Sequence, residues 1–377
     1  MKALKICALL FLMLVVIFPK GLLAQESKED AVKVFERFWK TMDENYAFFK
    51  LKDVNWQAVY NDYRPKIRES VTDQELFNLL VEILQTFDDA HASLTVPGNK
   101  ELRYGGNKRV LFEQEFPTDS LKTAYFSMVE NTLKNLGFHD VKQKGPLLNN
   151  NNPVYDHTVF EYAANVDFGY VKVSWFFYDW AKLAPLSIRR DRKKFQKGFS
   201  EILNQFDDKK ALILDLRNNI GGVSGHPEAL AGFFTAEKYI GEYTCNRKKD
   251  NHESFTKPKP TYVKPVSDKP FTKPVILLVN GQSVSACEEF VLMMRSLPNV
   301  TIIGMPTQGA LSDIYTAKLP NGWILGLSNM RFYSPEMVCY ENIGIPVDIE
   351  AGNTINDLKT GNDPLLLKAM DILKDKK

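Results

Sequence analysis

Ser283 and Ser285 stand two residues apart in NGQSVSACEEF, between the apolar run PVILLV and the apolar-periodic FVLMM. That pattern is a strand-to-helix junction. Ligands gather at the C-terminal ends of strands in an α/β sheet. A helix N-terminus there offers unpaired N–H groups and positive potential to an oxyanion. A serine so placed can attack a carbonyl carbon, or it can simply cap the helix. Both serines are open to both readings.

A serine nucleophile needs a base. GQSVS nearly matches the GxSxG elbow, but its last position is serine, and the α/β-hydrolase order places the histidine after the nucleophile. No histidine lies beyond His252. Any base therefore comes from earlier in the chain. His91, in DDAHASL, sits where a helix runs out beside Asp88, Asp89 and Ser93. His226 follows a glycine-rich turn. Both stay open on the residues alone. The turn itself, NNIGG (218–222), ends the apolar strand ALILDLR and needs backbone conformations that glycine permits, with exposed N–H groups. It lacks the P-loop spacing. Glu341, in YENIGIPVDIE, is a late carboxylate before a second glycine turn.

Other chemistries are poorly served. The five histidines (His91, His139, His157, His226, His252) never pair at metal-ligand spacing, HExxH and CxxC are absent, and no metal or other cofactor is expected. Beyond residue 24, Cys245, Cys287 and Cys339 allow at most one internal disulfide. Lys2 and Lys5 precede an apolar run from Ile6 to Phe18, and Ala24 closes a short small-residue region, the layout of a secretory signal peptide over 1–24. The run is short for a membrane span, so an exported chain, periplasmic or secreted, without a stable span is expected. Removing that segment takes three lysines and no acid, so 48 basic against 46 acidic residues becomes 45 against 46. Nucleic acid as a partner would want a basic excess or stripe. The run RRDRKK near 189–194 reads as the solvated face of a helix.

The elements that must position these residues follow from periodicity. Ser27 with Asp30 reads as a capping box before a helix buried through Val34, Phe35, Phe38 and Met42. A short helix carries Trp56, Val59, Tyr60 and Tyr63. A third opens on the capping box Thr72/Glu75 and runs into DDAH. From 98 to 165 the signal is turn-rich, with one helix over TDSLKTAYFSMVENTLKNLGF. From 166, strands FGYVKVSWF, ALILDLR, KPVILLVNG and VTIIGMP alternate with helices, a largely parallel sheet with crossovers. DIYTAKLPNGWILGLS is a hairpin about Asn321–Gly322, and PLLLKAMDIL a final helix.

DDAH, LDLRNNIGG, NGQSVSACEEF, PTQGALSD and YENIGIPVDI occur in an order that resembles the tail-specific, C-terminal-processing serine peptidases. The closer likeness is to the branch of the tricorn core and the interphotoreceptor retinoid-binding repeats. The resemblance covers about 27–97 and 166–375. It implies a ClpP/crotonase-like α/β core (166–377) behind an N-terminal helical domain (25–97). The segment 98–165 shows no clear PDZ domain, although NLGF at 135–138 is similar to its carboxylate loop. The family pattern SxSAxE selects Ser285 as nucleophile and leaves Ser283 as a turn residue. Ala310 stands where the Ser–Lys branch carries its lysine. The tricorn-like positions match His91 as general base and Glu341 as its orienting group, with the N–H groups of Ala286 and of Gly221 or Gly222 as oxyanion hole. The serine that precedes the histidine in the tricorn pattern is here Ala90, which leaves orientation to another group such as Ser93. The implied function is a serine peptidase acting on peptide or protein substrates. The alternatives are a binding protein for an apolar ligand on the same scaffold and an acyl-CoA enzyme of crotonase type. Oligomeric state is not legible.

Overall fold

The structure is a computed structural model that describes residues 30–106, 111–148 and 157–375. The expected leader, Ser27 and the asparagine run 149–152 lie outside the described residues. In chain order come helices α1 (Ala31–Asn45), α2 (Trp56–Tyr63) and α3 (Asp73–Gln85), then strands β1 (Ser93–Thr95) and β2 (Arg103–Tyr104). Helices α4 (Leu111–Glu115) and α5 (Asp119–Asn135) lead to strands β3 (His139–Leu147), β4 (Thr158–Ala164) and β5 (Phe168–Val173). Next are α6 (Ile188–Leu203), β6 (Ala211–Asp215), α7 (His226–Ala231), β7 (Tyr239–Asn246), β8 (Lys259–Val263), β9 (Val275–Val279) and α8 (Ala286–Arg295). The chain closes with β10 (Val300–Gly304), β11 (Ile314–Lys318), β12 (Ile324–Ser328), β13 (Met330–Tyr333), β14 (Ile349–Glu350), α9 (Asp357–Thr360) and α10 (Pro364–Asp375).

The described residues form two compact units. The first comprises 30–106, 245–258 and 312–331. Asp30 itself caps α1, its carboxylate accepting the Val32 N–H at 2.8 Å. Helix α3 opens on the expected box: the Thr72 N–H donates to Glu75 at 2.8 Å and the Glu75 N–H donates to Thr72 Oγ1 at 3.3 Å. The Trp39 and Trp56 rings stack at 3.7 Å, which locks α1 to α2. Beyond α3 the chain enters a four-stranded sheet of order β11-β12-β1-β2, with Ser93 opposite Gly326. The hairpin 314–328, expected within the core, therefore belongs to the first unit. A strand as short as β1 needs a longer partner, and β12 supplies it.

The second unit comprises 111–148, 157–244, 259–311 and 332–375. Its sheet has seven strands in the order β14-β10-β9-β6-β5-β4-β3. Pairing is parallel from β14 to β5 and antiparallel from β5 to β3. The core boundary expected at 166 thus falls inside one sheet, because β3 and β4 continue it. Strand β3 is mostly exposed, so it carries little of the apolar pattern that betrays a strand. NLGF is a helix C-cap and not a carboxylate loop: Gly137 has φ +85° and the Phe138 N–H returns to the Leu133 carbonyl at 2.9 Å. The basic run of α6 is solvated, as expected, with Arg189, Arg190, Lys193 and Lys194 not buried.

Helices cover both faces of this sheet. Leu365, Leu366 and Ala369 of α10 pack on Ile213, Ile276 and Leu278. On the opposite face Phe195 and Phe199 of α6 meet Phe160, with centroids at 4.9 and 5.8 Å. Phe176 meets Phe290 of α8 at 5.4 Å. Strands β6 and β9 are buried throughout and run in register, Leu212 beside Val275 and Asp215 beside Leu278. Their following turns therefore emerge side by side at one edge.

A buried ion network anchors the end of β6. The Arg217 Nε donates to Asp215 at 2.9 Å and its Nη1 to Asp363 at 2.7 Å and Asn353 at 3.1 Å. The Tyr170 hydroxyl completes Asp215 at 2.9 Å. Burial pushes the Asp215 carboxyl up, but the Arg217 guanidinium outweighs it and holds the carboxyl below its usual range. A carboxyl depressed in the folded state adds stability above its unfolded pKa, about 3.9, and loses it as pH falls through the lower folded value. Arg217→Met strands two buried carboxylates and should cost about 3–5 kcal/mol in chemical denaturation. The deficit against the wild type should narrow in acid, where Asp215 takes a proton; a pH-independent deficit would contradict the assignment.

Candidate active site

The turns after β6 and β9 are knitted together by asparagines. The Asn218 N–H donates to Asn280 Oδ1 at 3.0 Å, and Asn280 Nδ2 returns to Asn218 Oδ1 at 2.9 Å. The Val284 N–H donates to the Asn219 carbonyl at 3.1 Å. Asn219 is fully buried, and its Nδ2 donates to the Val173 carbonyl at 2.7 Å.

The two serines do different things in this frame. Ser283 is fully buried; its Oγ donates to the Leu216 carbonyl at 2.9 Å and accepts the Asn280 N–H at 3.1 Å. Ser285 is half-buried and holds φ +60°, ψ −125°, a conformation that L-residues seldom adopt. The Glu288 N–H donates to the Ser285 main-chain carbonyl at 2.7 Å, and the Ser285 hydroxyl makes no cap bond to the helix. Strain of this kind persists only where the surroundings over-determine it.

Two backbone donors lie beside Ser285. Ala286 heads α8, and its N–H is used by no main-chain bond among the described residues. Gly221, at φ +79°, packs directly over it: a Cβ there would sit 2.8 Å from Ser285 Cβ and 3.2 Å from Ala286 N. The Gly221 N–H is already committed to Asn219 Oδ1 at 2.9 Å. Gly222 bridges Phe176, but the bridge uses the Gly221 carbonyl and the Val223 N–H, leaving the Gly222 N–H out of it.

Glu288 over-determines the elbow. It is fully buried and accepts four donors: Thr307 Oγ1 at 2.6 Å, Gly309 N at 2.7 Å, Ala310 N at 2.9 Å and Ser285 N at 3.1 Å. Burial pushes its carboxyl up, yet all four neighbours are donors, so the site fits the ionised carboxylate. The next N–H along that loop, of Leu311, donates to Glu341 Oε2 at 2.8 Å. Glu341 is buried, on a turn tied to the same loop through the Asn342 N–H to the Gly309 carbonyl at 2.7 Å. Ser285, Ala286, Gly221, Gly222 and Glu341 thus belong to one bonded frame in the second unit. Sequence reasoning named Glu288 only as a motif landmark; its signal was a glutamate at the third helical position, the usual mark of a capping box.

His91 belongs to the first unit, where α3 gives way to β1. It is buried, and its N–H donates to Asp89 Oδ1 at 2.8 Å. Asp89 also accepts the Tyr46 hydroxyl at 2.8 Å and Ser328 Oγ at 3.1 Å. Asp89, not singled out as functional, is what secures the His91 main chain. Ser93 lies in β1, where a Cβ on Gly326 would come 2.4 Å from its Oγ. His226, the competing base, is fully buried with both ring nitrogens facing acceptors: Nδ1 the Val223 carbonyl at 3.1 Å and Nε2 Asp191 at 3.0 Å. Cys287, beside the serine, is fully buried, and burial pushes its thiol well up.

Residues 167–351 match the description "Peptidase family S41", and residues 27–85 match the "Tricorn protease C1 domain". Both matches support the tail-specific protease family. The chain is 27% identical over 160 residues to a carboxy-terminal-processing protease of Bartonella bacilliformis, covering 42% of this chain and 35% of that protein. It spans about a third of the length of the curated relatives it matches. A crystal structure of a candidate peptidase from Parabacteroides merdae superposes with TM-score 0.72 at 27% identity, over 91% of this chain and 96% of that one. Mature CPAF complexed with lactacystin shares the fold, with TM-score 0.62 at 13% identity over 92% and 97% of the two chains.

Glu288→Gln places an amide N–H₂ against backbone donors in this frame. It should cost about 2–4 kcal/mol in denaturation. Ser283→Ala, which removes two bonds to one hydroxyl, should cost about 1–3 kcal/mol. Equal stability of both variants to the wild type would refute the frame.

Proposed function

We propose that this chain is a serine peptidase that hydrolyses peptide bonds through an acyl-enzyme, with Ser285 as nucleophile, His91 as general base and Glu341 as the group that orients the imidazole. The observation that carries the reading is the state of Ser285. Its backbone is strained, its hydroxyl is left out of the helix cap, and the uncommitted N–H of Ala286 lies next to it. A capping serine would have its hydroxyl on the helix.

His91 takes the Ser285 proton as Oγ attacks the scissile carbonyl, and returns it to the leaving amine. The negative charge forms on the carbonyl oxygen, and the N–H groups of Ala286 and Gly222 stabilise it. Gly222 is the better donor of the glycine pair, because the Gly221 N–H is engaged by Asn219. Gly221 supports the hole through the absence of a side chain. His226 is unsuited to the base role, since its ring is already doubly engaged. Export of the mature chain to a periplasmic or secreted location, and a peptide or protein substrate, complete the reading.

A fluorophosphonate probe should label the wild type at Ser285, and Ser285→Ala should lose the label. His91→Ala should lower kcat on a cleaved peptide by about 10²–10⁴-fold with the fold intact. Gly221→Ala should also suppress labelling, since its Cβ would clash with Ser285. Absence of labelling and of cleavage across a peptide library would leave a binding protein for an apolar ligand as the better reading.

A further inference from the structure

Two segments flank the Gly222 N–H: the turn 221–223 and the extended stretch 176–179 beside it. They are joined at one end by the Phe176 N–H to the Gly221 carbonyl at 2.8 Å and the Val223 N–H to the Phe176 carbonyl at 2.9 Å. At the other end a His226–Asp191 pair spans them. His226 binds the Val223 carbonyl twice, through Nδ1 at 3.1 Å and its main-chain N–H at 3.2 Å. Its Nε2 faces Asp191 Oδ2 at 3.0 Å. Asp191 in turn accepts the Tyr178 N–H at 2.7 Å and the Asp179 N–H at 2.9 Å. The bonds close a ring: Val223, His226, Asp191, Tyr178–Asp179, Phe176 and back to Val223.

Gly221, Gly222 and Gly225 all have positive φ, so the turn has more backbone freedom to lose than any other stretch near Ser285. A main-chain carbonyl can only accept, so Nδ1 carries a proton. Asp191 accepts two N–H groups besides, so Nε2 meets an ionised carboxylate and carries a proton as well. The Phe195 ring lies edge-on to the imidazole at 5.4 Å and excludes water from the pair. Arg192, Glu228 and Asp179, the last paired with Lys182, are the charged groups around it.

We propose that the buried His226–Asp191 pair clamps the glycine turn in the conformation that presents the Gly222 N–H, which makes both side chains positioning residues for acyl transfer at Ser285. The catalytic part of this inference rests on the reading of Ser285 as nucleophile; the clamp does not. The pair holds the turn before any substrate arrives, so the donor is in place without reorganisation as charge develops.

The test uses the full chain. In the wild type, nitrogen NMR should show both His226 ring nitrogens protonated. His226→Gln and Asp191→Asn should each raise amide exchange at Gly222 and Val223. Each should lower fluorophosphonate acylation of Ser285 and peptide kcat by about 10²-fold, the scale of a lost oxyanion donor, with KM little changed. The double variant should be no worse than the singles, because the two groups act as one unit. A wild-type ring with one bare nitrogen, or folded variants that acylate at the wild-type rate, would overturn the clamp. If the variants do not fold, the wild-type nitrogen spectrum alone decides. If wild-type Ser285 is never labelled, the peptidase reading falls, while the spectrum and the exchange rates still judge the clamp.

Discussion

A residue at φ +60° with a Cβ is held there by its neighbours or not at all. At Ser285 the holding is done by one buried carboxylate. Glu288 grips the Ser285 N–H from one side and the Thr307–Ala310 loop from the other. The asparagine pair 218/280 and the buried Ser283 fix the start of the same turn. A carboxylate is a fitting centre for such a frame, because it accepts several donors at once and never competes with them as a donor itself. The strain at one residue is thereby spread over a strand end, a helix start and two loops.

That frame also explains what the loop 307–311 has become. Ala310 in this loop stands where the resemblance would put the lysine of the Ser–Lys branch. Here the loop acts through its main chain. Gly309 and Ala310 bind Glu288, and Leu311 binds Glu341. Two carboxylates that are far apart in sequence are held by adjacent peptide groups. The position of Glu341 is consequently tied to the position of the Ser285 backbone through that loop.

Much of this was legible beforehand. Buried strands such as ALILD and VILLV declare themselves by composition, and Thr72 with Glu75 declares a helix start. The serine junction and the glycine turn followed from the alternation of strand and helix. What stayed hidden depended on partners remote in sequence. Strand β3 looks polar because one neighbour and solvent, not a core, flank it. The role of Glu288 was invisible because three of its four donors lie about twenty residues away, and two of these are backbone N–H groups, which no side-chain pattern records. His226 looked like a free loop histidine; only the fold brings Asp191, thirty-five positions earlier, to its ring.

The hairpin β11–β12 gives the first unit a late dependency. Its strand β1 has just three residues and pairs with β12, more than two hundred positions further on. During synthesis, the helices of that unit are made early, but their sheet waits for residues 324–328 to be made. By then Ser285 and its helix already exist. The segment that carries His91 is therefore among the last parts of the molecule to acquire its final support, although it is among the first to be translated. A chain arrested or clipped before residue 324 would lack the strand on which β1 rests, so residues far along the chain decide when an early segment is finished.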